Sequence, residues 1–115
     1  MKKNQDKAIR QRVGELIATA HERELNQALH TLHQQFQEWQ ARKIDAFAMN
    51  DLIHQFHQKT VREIWKMYDV AGPDEMLVAR ALRLGLLTEE EVGSELIERL
   101  APFMAHWKGG TTDEQ

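Results

Sequence analysis

Two histidines three residues apart are the side chains whose type and spacing could do chemistry in this chain. The stretch NDLIHQFHQKTVREIWKMY, residues 50–68, contains His54 and His57. Residues i and i+3 share a face of a helix, so two imidazoles could bind one divalent metal ion. His33 could supply a third nitrogen if its helix packs as a hairpin on the helix that carries the pair. The sequence therefore defines a candidate metal site at His33, His54 and His57, or a small-ligand site at the last two.

The same two histidines can also be interpreted as ordinary helix residues. A projection at about 100° per residue places His57 beside the apolar stripe of its helix and His54 on the flank, near Trp65. Acidic side chains that would complete a metal site do not stand at the matching i, i+3 positions. This second interpretation is favoured. We expect His57 to form a hydrogen bond at the core and to pack on Val61, and no cofactor is predicted.

A protein-binding surface is the other kind of site that the sequence allows. Most of the aromatic residues stand at helical spacing and are expected in the core, but Trp65 lies on a flank of its helix. Tryptophan is enriched among the residues that dominate binding energy at protein interfaces. The predicted interaction residues are His54, Arg62, Trp65, Tyr68 and Trp107.

Catalysis and DNA binding find little support in the sequence. No Ser or Thr stands beside a His and an acid in a recognisable nucleophile turn, and there is no Gly-rich phosphate loop. The segment VARALRLGLLTEEEV pairs two helices around a Gly, as helix-turn-helix motifs do. Its second helix would begin Thr-Glu-Glu-Glu, however, which would repel DNA phosphates. The net charge of −3 also argues against a basic nucleic-acid-binding surface. The missing catalytic patterns favour a non-enzymatic protein over an enzyme.

Helices are the elements that must position these residues. The chain has 42% hydrophobic and 29% charged residues, six Gly, two Pro and no Cys. Ala, Leu, Glu, Gln, Arg and Lys dominate, which favours an all-α fold. A chain without cysteine is typical of a reducing compartment, so a cytoplasmic location is expected. No apolar run approaches the roughly 18 residues of a membrane span, and the segment MKKNQDK lacks the apolar core of a signal peptide.

Apolar periodicity predicts four main helices in one domain over residues 1–108, followed by a disordered tail at 109–115. The predicted helices cover about residues 4–42, 51–70, 74–84 and 88–108. Asn50 or Asp51 is expected to cap the second helix. The third is short, apolar nearly all round and therefore buried, and Gly85 is expected to end it. The fourth begins with a capping box, Thr88-x-x-Glu91, and is expected to kink or to restart at Pro102.

The long first helix carries two apolar stripes that lie on different faces. Ile9, Val13, Leu16, Ile17 and Ala20 form the first stripe; Leu25, Ala28, Leu32, Phe36 and Trp39 form the second. The displacement between them predicts a bend near residues 19–24, or two halves that face different partners. Residues 1–20 are expected to project and pack on another subunit. The leading hypothesis is therefore a non-enzymatic, homo-oligomerising interaction protein, with a partner that is either itself or another protein.

A recognisable pattern runs through residues 43–95. An Ile-His-x-Phe-His stretch is followed by Arg-x-x-Trp, by Tyr68 and by an Ala-rich helix ending Gly-x-Leu. The matching positions are Ile53, His54, Phe56, His57, Arg62, Trp65, Tyr68, Ala79, Ala81, Gly85 and Leu87, with departures at Gln55 and Gly93. In this pattern the segment resembles a family of small, uncharacterised bacterial proteins. The resemblance implies an all-helical bacterial domain and no particular reaction, and it directs attention to His54, His57, Arg62 and Trp65.

Overall fold

Helices make up all the regular structure of the described residues, which confirms the all-α fold class. The computed structural model describes the backbone of residues 2–69 and 74–113, and the side chains of residues 5–69 and 74–104. The elements are α1 (Lys2–Gln40), α2 (Ala46–Gln55), a π-helical segment (Phe56–Val61), α3 (Arg62–Tyr68), α4 (Asp74–Leu84), α5 (Glu89–Val92) and α6 (Ser94–Asp113). The backbone of α6 thus continues into residues 109–113, where the sequence predicts a tail. Within the described part of the chain, no helix is both long enough and apolar enough to span a bilayer.

Two compact units form the molecule, where the sequence predicts one domain. Residues 1–20 and 71–115 form the terminal unit, and residues 21–70 form the central unit. The boundary lies between Ala20 and His21, inside α1. It coincides with the point at which the apolar stripe of α1 changes face. The two halves of α1 therefore serve different groups of helices in the same chain.

The terminal unit has a well-covered apolar core. Its buried residues are Val13, Leu16, Ala20, Val78, Ala79, Ala81, Leu86, Leu87, Val92, Leu96 and Leu100. The first stripe of α1 is thus buried as the sequence predicts, but by this chain's own helices. This differs from the expectation that residues 1–20 project to meet another subunit, because the described side chains of residues 5–20 leave no exposed apolar stripe on α1.

Local capping signals in the terminal unit are confirmed, but the fourth helix is divided. The Glu91 amide donates to Thr88 Oγ1 at 3.1 Å, and the Thr88 amide donates to Glu91 Oε1 at 3.0 Å. Gly85 ends α4 with φ at 77°, and the Leu86 amide donates back to the Ala81 carbonyl at 2.8 Å. The predicted continuous helix from residue 88 is wrong, because Gly93 adopts φ 91° and separates α5 from α6. α6 passes through Pro102 without ending.

A tight turn over residues 41–45 joins α1 to α2 in the central unit. The Lys43 amide donates to the Glu38 carbonyl at 2.9 Å, the Arg42 amide donates to the Trp39 carbonyl at 3.0 Å, and Arg42 has φ 63°. This is the bonding of a Schellman motif, with Arg42 where Gly is usual. Asp45 then caps α2 by accepting from the Ala48 amide at 2.8 Å. The predicted caps at Asn50 and Asp51 are therefore wrong, because an earlier Asp takes that role.

The π-helical segment changes which residues of the central unit face inward. From α2 to α3, the residues that are buried or half-buried are Met49, Leu52, Phe56, Val61, Ile64 and Tyr68, together with Ala48 beside the first of them. From Met49 to Tyr68, successive inward-facing residues are three, four, five, three and four positions apart. The step of five spans Phe56–Val61, where a π-helix bonds residue i to i+5 instead of i+4. Residues that a regular helix would turn inward, namely Ile53, Thr60 and Met67, are consequently exposed.

Candidate interaction surface

Three rings from α1 and α3 form a compact cluster in the central unit. The His21 ring stacks on Tyr68, with ring centroids 4.4 Å apart and planes at 11°, and it meets Trp65 edge to face at 4.5 Å and 83°. The Tyr68 hydroxyl donates to Glu24 Oε1 at 2.7 Å. Both geometries are favoured for aromatic pairs. The cluster therefore holds Trp65 in a defined position on α3 while 57% of that side chain remains exposed.

His21 is also the site of an unusual polar group. Its Nε2 atom is buried and has no hydrogen-bond partner within the described residues. Leaving a buried polar atom without a partner costs about 1–3 kcal/mol. Ring packing on Trp65 and Tyr68 therefore outweighs a local polar penalty at this position.

Replacing His21 with Phe is expected to raise the free energy of unfolding by about 1–2 kcal/mol. The ring stack is kept and the unpartnered nitrogen is removed. Urea denaturation followed by circular dichroism measures the change. The same substitution at the exposed His30 serves as the control and should change stability by less than about 0.5 kcal/mol. A loss of stability in His21→Phe would show that Nε2 makes a bond the protein needs.

The predicted metal ligands do not come together as a group of three. His33, His54 and His57 are all exposed. Among the residues that the structure describes, no three His, Asp or Glu side chains are grouped so as to hold a metal ion. The expectation that His57 packs at the core is wrong, since the π-helical segment carries its side chain to the surface. Metal or ligand binding at the exposed pair stays a prediction.

Several of the predicted interaction residues lie on or near the aromatic cluster. Trp65 and Tyr68 both contact His21, Tyr68 is half-buried, and Arg62 and His54 are exposed. The side chain of Trp107 lies outside the described residues. Sequence reasoning missed the role of His21, because the predicted helices of about residues 4–42 and 51–70 place the turn too late in the chain. His21 and Trp65 stand equally far from residue 43, the centre of the turn at 41–45.

Large apolar side chains are exposed in the central unit on both sides of the turn. On α1, Leu25, Leu29, Leu32, Phe36 and Trp39 follow one another at alternating steps of four and three. Leu29, Phe36 and Trp39 are exposed, and the last two rings meet edge to face at 6.3 Å. Ile53 and Trp65 are exposed on the other helices. We call Leu29, Phe36, Trp39, Ile53 and Trp65 the apolar flank.

Two cavities, one in each unit, are weaker candidates for a binding site than the apolar flank. A cavity of about 180 Å³ in the central unit is lined by Ala28, Thr31, Leu32, Gln35, Leu52, Gln55, Phe56 and Thr60. A groove of about 430 Å³ in the terminal unit lies beside Arg12 and Arg99. The Arg12 guanidinium already donates to the Glu91 carbonyl, and Arg99 lies 4.0 Å from Asp6. Since both cations are engaged within the chain, the groove is not organised to hold an anion.

The geometry therefore singles out an apolar surface anchored by the His21, Trp65 and Tyr68 rings. Comparison of the chain with models of protein families, with curated proteins and with solved structures finds no match. The resemblance to a small bacterial helical family accordingly stays a prediction.

Proposed function

We propose that this chain is a non-enzymatic interaction protein that buries the apolar flank of its central unit against another protein surface. The observation that carries the proposal is the exposure of Trp65, which is 57% exposed although its ring is held in place by His21. Ordered, exposed aromatic side chains act as anchors at interfaces because little conformational entropy is lost on binding. The partner is a protein, either a second copy of this chain or a different one, and the absence of cysteine suits a cytoplasmic setting.

In this proposal, the second half of α1 packs as a hairpin on the helices that follow it. Residues near the start of this half, His21 and Glu24, contact residues late in α3, Trp65 and Tyr68. Residues 28–35 share a cavity with residues 52–60. These contacts support an antiparallel arrangement of the two arms. The four-helix packing predicted from the sequence becomes, in this view, a hairpin in the central unit and a separate core in the terminal unit.

An antiparallel hairpin would place the whole flank on one side. Ala28 and Gln35 line the shared cavity. Leu29 is the residue after Ala28, and Phe36 is the residue after Gln35. On the other helices, Leu52 and Ile64 face inward, and Ile53 and Trp65 are the residues directly after them. On any helix, each step of one residue along the chain rotates the side-chain direction about the helix axis by about 100°, always with the same hand. In two antiparallel helices that face each other, this common rotation leads to the same side of the pair.

The apolar character of this side favours binding over solvent exposure. The largest contiguous apolar patch on a typical monomer is about 300–600 Å² and is often functional. Here three aromatic and two aliphatic side chains would contribute to one such patch. The argument concerns a contact surface and involves no reacting group.

Site-specific photo-crosslinking in cells tests the proposal. A photo-reactive phenylalanine at position 65 is expected to form discrete covalent protein adducts. The matched control places it at Gln27, which is exposed on α1 but outside the flank. We expect adduct yield at position 65 to exceed the control roughly tenfold, as hot-spot residues lie at the centre of an interface and surface residues elsewhere do not. Equal yields at the two positions would contradict the proposed function.

A further inference from the structure

We infer that the protein which covers the apolar flank is a second copy of the same chain, with two central units packed flank to flank around a two-fold axis. This inference rests on the proposed function and deepens it by naming the partner. Each central unit would contribute the second half of α1 together with α2 and α3. Two such antiparallel helix pairs would form a four-helix bundle, the arrangement in which helices with narrow apolar stripes commonly bury them.

The spacing of the α1 stripe fits pairing with another helix that has the same stripe. Leu25 and Leu32 are half-buried within the chain. The exposed residues Leu29, Phe36 and Trp39 follow a heptad pattern, at steps of seven and three positions. That repeat is the one in which side chains of two helices interdigitate as knobs into holes. In a two-fold interface the same patch serves both partners, so one self-complementary stripe is sufficient. The first half of α1 lacks this freedom because its apolar residues are already buried in the terminal unit.

Charge around the stripe is compatible with a second copy. Residues 25–41 contain a single charged residue, Glu38. The positions that border the stripe are occupied by uncharged side chains, which are Asn26, Ala28, His33, Gln35 and Gln40. Two copies of this α1 stripe therefore meet without like-charge repulsion along α1, which a charged border would impose on a two-fold interface. Depletion of charge is also the compositional mark of the buried centre of an interface.

The exposed area is of the size that a dimer needs. Taking aromatic side chains at roughly 200 Å² each and the two aliphatic ones as slightly smaller, the exposed fractions amount to roughly 400 Å² of apolar surface on the flank. A standard interface buries about 800 Å² on each partner, of which somewhat more than half is apolar. The flank alone thus supplies close to the apolar share of a stable two-fold interface.

Sedimentation equilibrium of the whole chain tests the inference with a closely matched pair of variants. Leu29 on the flank is 45% exposed and Leu84 in the terminal unit is 43% exposed. The unmodified protein is expected to sediment with twice the chain mass. Leu29→Gln should weaken dimerisation roughly 10- to 100-fold, since the substitution occurs on both copies. Leu84→Gln should leave the dimer constant within about threefold of the original, as it lies outside the proposed contact.

A second flank variant and a salt series complete the sedimentation experiment. Phe36→Gln should reproduce the effect of Leu29→Gln, and circular dichroism checks that each variant stays helical. Raising the salt from about 0.05 M to about 0.5 M should change the dimer constant less than threefold, because the positions that border the stripe on α1 are uncharged. A chain that stays monomeric up to about 100 μM overturns the inference. If position 65 still forms adducts of another mass in cells, the proposed function stands with a different partner; if it forms none, both fail.

Discussion

Deleting Gln58 is expected to leave the free energy of unfolding within about 1 kcal/mol of that of the unmodified protein. Gln58 is exposed and lies inside the π-helical segment Phe56–Val61. Removing one residue there would shorten the step from Phe56 to Val61 from five to four. The segment could then close as an ordinary α-helix while the inward residues on both sides keep their faces. Urea denaturation followed by circular dichroism measures the result.

Deletion of Asp51 is the matched comparison and is expected to cost at least about 2 kcal/mol. Asp51 is also exposed, but it lies within α2, between the inward residues Met49 and Leu52. Its removal would rotate Met49, which is buried, by about 100° relative to everything that follows. If the two deletions cost the same, the π-helical segment would not be the place where the extra residue is accommodated.

Leu100→Ala is expected to lower the free energy of unfolding of the terminal unit by about 3 kcal/mol. Leu100 on α6 is fully buried, so truncation removes apolar contacts and leaves a cavity that the surroundings fill only partly. Leu84→Ala makes the same chemical change at a position that is 43% exposed. It should cost less than about 1 kcal/mol. Thermal or urea unfolding of both variants measures the difference, and equal losses would contradict the assigned core.

The parts of the fold that local chemistry determines could be predicted from the sequence. The bounds of α4, its stop at Gly85 and the Thr88–Glu91 capping box all follow from neighbouring residues. The first stripe of α1 was also predicted, because a helix of regular geometry needs only the 3.6-residue period to show its buried face. These features depend on side chains within one or two turns of each other.

Features that depend on an irregular backbone could not be predicted in this way. The π-helical turn adds one residue to an otherwise regular pattern, so Thr60, which a projection turns inward, is exposed and Val61 beside it faces inward. Gly93 interrupts a run of apolar residues that is compatible with one continuous helix. Asp45 and Asn50 are both good capping residues, and only the contacts of the folded chain decide which one starts α2.

The candidate surface was partly visible in the sequence. Trp65 and Tyr68 were identified from their position near the flank of a helix, which needs no tertiary information. The role of His21 was missed because its partners lie more than forty positions along the chain. The predicted helices also place the turn between residues 42 and 51, later in the chain than the observed turn at 41–45.

Acrylamide quenching of Trp65 fluorescence tests the central claim, burial of the apolar flank by a second copy, most directly. Trp39→Phe and Trp107→Phe leave Trp65 as the single tryptophan and keep the flank apolar. In one isolated chain the Trp65 side chain is 57% exposed and should be readily quenched. We predict that the quenching constant falls at least about twofold as the protein is raised from about 1 μM to about 100 μM, and that adding Leu29→Gln abolishes the fall. A quenching constant that stays the same across this range would contradict the claim.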